Sequence, residues 1–134
     1  MDNNVRFDTK KDNLIRAFQS LKDSLHIPIT TKRDLSGIIK DFELVYELSW
    51  KTLKLYLELA GHQTNNARHA FSVAYQLGFL KEENVWLQII KDRNMTVDTY
   101  DENFAREMVK RIDSLYFKAF EALVTKLTDK GHAT

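Results

Sequence analysis

Phe42-Glu43-Leu44-Val45-Tyr46-Glu47-Leu48-Ser49-Trp50-Lys51-Thr52-Leu53-Lys54 decides the fold class. Phe42, Val45, Ser49 and Leu53 recur at three- and four-residue steps, the period of one helix face. Tyr46 and Trp50 widen that face, so the helix is expected to be buried along much of its girth. The pattern runs outward in both directions, back through Ile38 and Ile39 and on through Tyr56, Leu57 and Ala60. Thr31 with Asp34 three positions later resembles a capping box and opens the helix. Gly61 closes it, since a positive φ costs glycine nothing.

The flanking segments repeat the theme. Leu14, Phe18, Leu21 and Leu25 form one stripe, and Pro28 ends that helix because the residue before a proline is pushed out of the helical region. Asn65 or Asn66 is placed to cap a shorter helix with Ala67, Ala70, Phe71, Ala74 and Leu77 inward, and Gly78 ends it. Val85, Trp86, Ile89 and Ile90 predict a fourth helix. Asp101 is a suitable N-cap for a last one, with Phe104, Met108, Ile112, Leu115, Ala119 and Leu123 as its stripe. No segment alternates with period two, so strands are not supported. The predicted architecture is all-α: one domain over residues 1–134, an up-and-down four-helix bundle with one additional short helix.

Composition narrows the function. With 134 residues, 43% hydrophobic and 29% charged, the chain suits one globular domain with a real core. Twenty Lys and Arg stand against 19 Asp and Glu, for a net charge of +1, which argues against a strong non-specific grip on nucleic acid. The absence of cysteine excludes disulfides, thiolate metal sites and cysteine nucleophiles. No apolar run is long enough for a bilayer, and Met1 to Lys11 is polar with no signal-peptide core, so the expected location is cytoplasmic and no membrane partner is expected. His26, His62, His69 and His132 form no helical pair with one another or with an acid on a shared buried face, so no metal site is expected. The glycines are isolated, and no phosphate loop is present.

The most informative polar stretch is Asp92-Arg93-Asn94-Met95-Thr96-Val97-Asp98-Thr99-Tyr100. It reads as a polar segment breaking the helical pattern. A guanidinium, an acid five positions on and a phenol two beyond that suit the handling of phosphate or nucleotide. The alternative is a loop with a capping arginine, or an Arg93 salt bridge to Asp92 or Asp98. Tyr46 with Trp50, and Tyr116 with Phe120, read as core or interface.

Three stretches together resemble one family: residues 42–54 quoted above; Ala67-Arg68-His69-Ala70-Phe71 through Leu77-Gly78-Phe79-Leu80; and Trp86-Leu87 followed by Asp92-Arg93-Asn94-Met95-Thr96 and Thr99-Tyr100-Asp101-Glu102. Their order and spacing resemble the nucleotidyltransferase substrate-binding proteins of the HEPN superfamily, with the match covering nearly the whole chain. The resemblance implies a homodimeric helical bundle, similar to the C-terminal domain of kanamycin nucleotidyltransferase and partnered with a separate minimal nucleotidyltransferase chain. It implies no cofactor on this chain; a nucleoside triphosphate and Mg belong with the partner. In many HEPN pairs the bundle is a ribonuclease toxin and the nucleotidyltransferase its antitoxin, which in some cases adds AMP to a toxin tyrosine.

The HEPN pattern is arginine, four variable residues, histidine, one residue, tyrosine. Arg93 and Tyr100 match it; position 98 is Asp. Metal-free RNA cleavage needs a base, an acid and a cation on the phosphate. Histidine exchanges protons near neutrality, whereas aspartate, with an unperturbed pKa of about 3.9, is already ionised. The leading expectation is therefore a binding subunit in which Arg93, Asn94 and Tyr100 face the nucleotide or the partner, with Tyr100 a possible AMP acceptor. The rival is a ribonuclease with a catalytic pair Arg93 and Asp98 repeated across a dimer, for which RNA is the partner. A helical interaction module with no nucleotide role is the third.

Overall fold

A computed structural model describes residues 3–96 and 101–130. Val97, Asp98, Thr99 and Tyr100 lie outside the described residues, and with them two of the four candidate site residues. The described residues are all-α: α1 (Asn3–Leu25), α2 (Lys32–Leu59), α3 (Ala67–Gln76), α4 (Glu83–Thr96), α5 (Glu102–Arg111), a π turn (Ile112–Tyr116) and α6 (Phe117–Lys130).

The helix ends follow from local chemistry. Thr31 accepts from the Asp34 backbone N–H, and the Asp34 carboxylate accepts in return from the backbone N–H of Thr30 and Thr31 at 2.8 and 3.0 Å. Those backbone donors hold the Asp34 carboxyl below its ordinary pKa. Asn66, and not Asn65, caps α3 by accepting from His69 N. Asp101 caps α5 by accepting from Phe104 N at 2.8 Å. Gly61 and Gly78 adopt φ of 94° and 76°, the left-handed region that side chains with a Cβ avoid.

Residue pairs give the helix directions. Phe7 meets Tyr56, Thr52 donates to the Lys10 carbonyl, and Ser24 donates to Asp41, so α1 and α2 run antiparallel. Glu47 meets Arg93 and Glu43 meets Thr96, which sets α4 antiparallel to α2. Trp86 meets Phe120 and Asp92 meets Arg111, which sets the last rod, α5 through the π turn to α6, antiparallel to α4. Phe7, Phe42, Trp86, Tyr116 and Phe120 are buried in a core drawn from all of these elements. Trp86 stacks on Phe71 at 4.5 Å and meets Phe120 edge-on at 5.6 Å.

Three expectations change. The polar segment does not break α4: the helix runs on to Thr96, so Arg93 and Asn94 are helical residues. Asp92 and Thr96 point inward and find polar partners there, which lets a helix continue through polar sequence. The stripe of the last rod also shifts. The Phe117 N–H reaches back to the Ile112 carbonyl, a π-type bond that inserts one residue into the phase. Leu115 is consequently turned outward and Tyr116 fully inward. Finally, Leu77, expected inward, is the C-cap residue of α3 and is exposed. Beyond these, α1 begins at Asn3 and its polar leading segment contributes Phe7 to the core.

Candidate functional site

The last two turns of α4 present cations on two faces. Arg93 faces α2. Its side chain is 20% exposed, and its Nη2 lies 3.6 Å from Glu47 Oε1. The guanidinium sits over the Tyr46 ring, 5.9 Å from the centroid. Its Nε is buried with no hydrogen-bond partner among the described residues. Asp92 pairs with Arg111, so of the alternative bridges the Arg93–Asp92 pair does not form and Arg93 meets Glu47; Asp98 is not among the described residues. Glu47 is itself shared, lying 3.5 Å from Lys51 Nζ. An ion pair this long and partly solvated contributes about 0–1 kcal/mol. The buried Nε is out of reach of an incoming anion, so any anion would have to meet the weakly paired terminal nitrogens. Thr96 completes this face, its hydroxyl shared between the Arg93 carbonyl at 2.7 Å and Glu43 Oε2 at 3.1 Å.

Tyr46 beneath Arg93 is buried, and burial pushes its phenol pKa up; Glu47 adds to the rise, while Arg93 and Arg68 pull it down. The phenol stays neutral near pH 7 and serves as a flat support for the guanidinium.

The second face carries Asn94. It lines an open groove of about 810 Å³ with Arg68, Leu87, Lys91, Met95 and Arg111, among others. Behind the groove lies a network that the sequence reading did not find. Asp92 Oδ2 accepts from Arg111 Nε at 2.7 Å and from the Tyr116 hydroxyl. The Asp92 side chain is only 9% exposed and Tyr116 is fully buried. Burial raises the Tyr116 pKa far above the ordinary phenol range, and the Asp92 carboxylate raises it further. Tyr116 is thus a permanent donor. Burial works against the Arg111 charge, and Asp92 more than compensates. One signal for Asp92 was present in the sequence: it follows Val85 and Ile89 at helical spacing, on the inward face. Tyr116 reads with Phe120 as core or interface, and it is buried; nothing in the sequence links its hydroxyl to Asp92.

Among the described residues no group of three or more His, Cys, Asp or Glu could hold a metal ion, and no helix is long and apolar enough to cross a membrane.

The family described as "Nucleotidyltransferase substrate binding protein like" matches residues 9–129. A probable ribonuclease HepT from Haemophilus influenzae is 28% identical over 90 residues, 63% of this chain and 62% of that protein. The chain thus spans under two thirds of the length of this curated relative. A crystal structure of a Thermus thermophilus protein superposes with a TM-score of 0.78 at 27% identity, covering 85% of this chain and 98% of that one. The class is an all-α protein with cations along one helix end. The chain belongs to the nucleotidyltransferase substrate-binding protein family of the HEPN group, as the three sequence stretches led us to expect.

Proposed function

We propose that this chain is the binding subunit of a two-component nucleotidyltransferase system, in which a separate minimal nucleotidyltransferase supplies the catalytic acids, the nucleoside triphosphate and Mg. The observation that carries this reading is Arg93: half-buried, lying over the Tyr46 ring and only weakly paired to Glu47. Its fork of donors suits a phosphate. In this reading the chain is a single up-and-down four-helix bundle with α3 as the additional short helix. It works as a cytoplasmic homodimer and as the HEPN half of a toxin–antitoxin pair, with Tyr100 the residue that accepts AMP. A tagged copy in native extract should retain a small nucleotidyltransferase chain at fixed stoichiometry. Recovery of no such chain counts against the proposal.

A second reading is supported by the relative's description as a probable ribonuclease. Arg93 and Asp98 of two copies would then form a composite site on RNA. That reading expects cleavage of RNA by the purified chain, lost in Arg93→Ala and raised at least about tenfold in Asp98→His, where a group titrating near neutrality is restored. Intact RNA with both the native chain and Asp98→His sinks it.

A further inference from the structure

We infer that the groove between α3, α4 and α5 is a second anion site, separate from the Arg93 face, that takes a phosphate group through Arg68, Lys91 and Arg111. These cations come from three helices and line one opening, which Asp92 lines as well. Arg111 is held in place from behind: its Nε is committed to buried Asp92, and its side chain is 30% exposed. Its Nη2 meets the Met108 sulfur at 3.9 Å, a weak acceptor that a phosphate oxygen outcompetes, so a guanidinium anchored through Nε still offers oriented terminal nitrogens to a phosphate. The Asp92 charge is offset by Arg111 itself. Arg68 and Lys91 have no ion-pair partner among the described residues and add two uncompensated positive charges at the rim. Asn94 supplies an amide donor and Met95, 52% exposed, an apolar edge.

A second large cavity lacks this bias. The opening of about 670 Å³ between the α3–α4 connection and α6 is lined by Lys81, Lys118 and Lys126 against Glu82, Glu121 and Asp129, three charges of each sign. It has no preference for an anion. The Arg68 groove, by contrast, combines a pre-oriented guanidinium with unpaired cations.

The site does not depend on the Arg93 reading. Its test is residue-resolved NMR titration of the full-length chain with inorganic phosphate, AMP, adenosine and the dinucleotide ApU. Phosphate and AMP should saturate shifts at the amides of Arg68, Lys91 and Arg111, with adenosine without effect there. Arg68→Gln with Lys91→Gln, both at exposed positions, should weaken phosphate binding at least about tenfold while the spectrum stays folded. Arg111→Lys keeps the charge and loses the fork, and should weaken it as well. ApU shifting the same amides extends the site to phosphodiesters; ApU silence with AMP binding assigns it to phosphomonoesters. Unchanged affinity in the double variant, shifts confined to Tyr46 and Glu47, equal binding of adenosine, or no shift with any probe would each overturn it. Shifts confined to the Arg93 face would leave the proposed function standing while removing this site.

Discussion

Asp92→Ala is expected to destabilise the protein by about 3 kcal/mol, and the urea midpoint should fall accordingly with little change in slope. Two losses combine. The Tyr116 hydroxyl, fully buried, loses its carboxylate acceptor, and an orphaned buried donor costs about 1–3 kcal/mol. Arg111 loses the partner at 2.7 Å, although its partial exposure lets water replace part of that bond. Tyr116→Phe should cost less, about 1.5 kcal/mol, since the Asp92–Arg111 pair survives and only one charge-assisted hydrogen bond goes. The ordering distinguishes a linked network from two independent contacts. In a double-mutant cycle the Asp92 and Tyr116 losses should be clearly less than additive. Equal, additive losses would show that the hydroxyl and carboxylate do not act together.

The same network gives a pH signature. Tyr116 has a raised folded pKa, above the unfolded value of 10.0. Its contribution is fully present below pH 10 and is lost as pH rises beyond it, because only the unfolded chain then gains by ionising. Neutral-range stability should be flat with respect to this group, and part of the alkaline decline should disappear in Tyr116→Phe.

Local rules carried the sequence reading where the partner of a group is close in the chain. Thr31 with Asp34, Gly61, Gly78 and Asp101 are all such cases, since caps and positive-φ turns are settled within about four residues. The reading failed where distant contacts overrule local signals. Asn94, Met95 and Thr96 look like loop, yet Thr96 is buried against Glu43, 53 positions away. Leu115 falls by spacing on the inward stripe, yet in the π turn it faces outward while Tyr116, which reads with Phe120 as core or interface, is fully buried; nothing in that local sequence marks an extra residue per turn. Arg93 was legible as a phosphate-competent group from its neighbours. Its actual support, Tyr46 and Glu47, lies on α2 and is set by the packing of α4 against that helix. Asp92 and Arg111 were missed for the same reason: 19 positions separate them.

Arg93→Ala and Glu47→Gln should move ligand affinity in opposite directions. In the proposed complex with a separate nucleotidyltransferase, Arg93→Ala is expected to weaken nucleotide binding by about 10- to 100-fold, the value of a charge-assisted hydrogen bond of about 1.5–3 kcal/mol. Stability should change little, because the pair at 3.6 Å is partly solvated. Glu47→Gln removes the acid that competes with an incoming phosphate for the guanidinium, and leaves Tyr46 to support it. Binding should tighten by about two- to fivefold, a small gain because Glu47 divides its charge between Arg93 and Lys51. A purely structural salt bridge makes the opposite forecast. Both variants would then cost similar stability, since each breaks the same pair, and neither would shift nucleotide affinity. Calorimetric titration of the two variants beside their urea midpoints separates the cases, because Glu47→Gln tightens binding only where Glu47 competes with the phosphate and leaves it unchanged where the pair is purely structural.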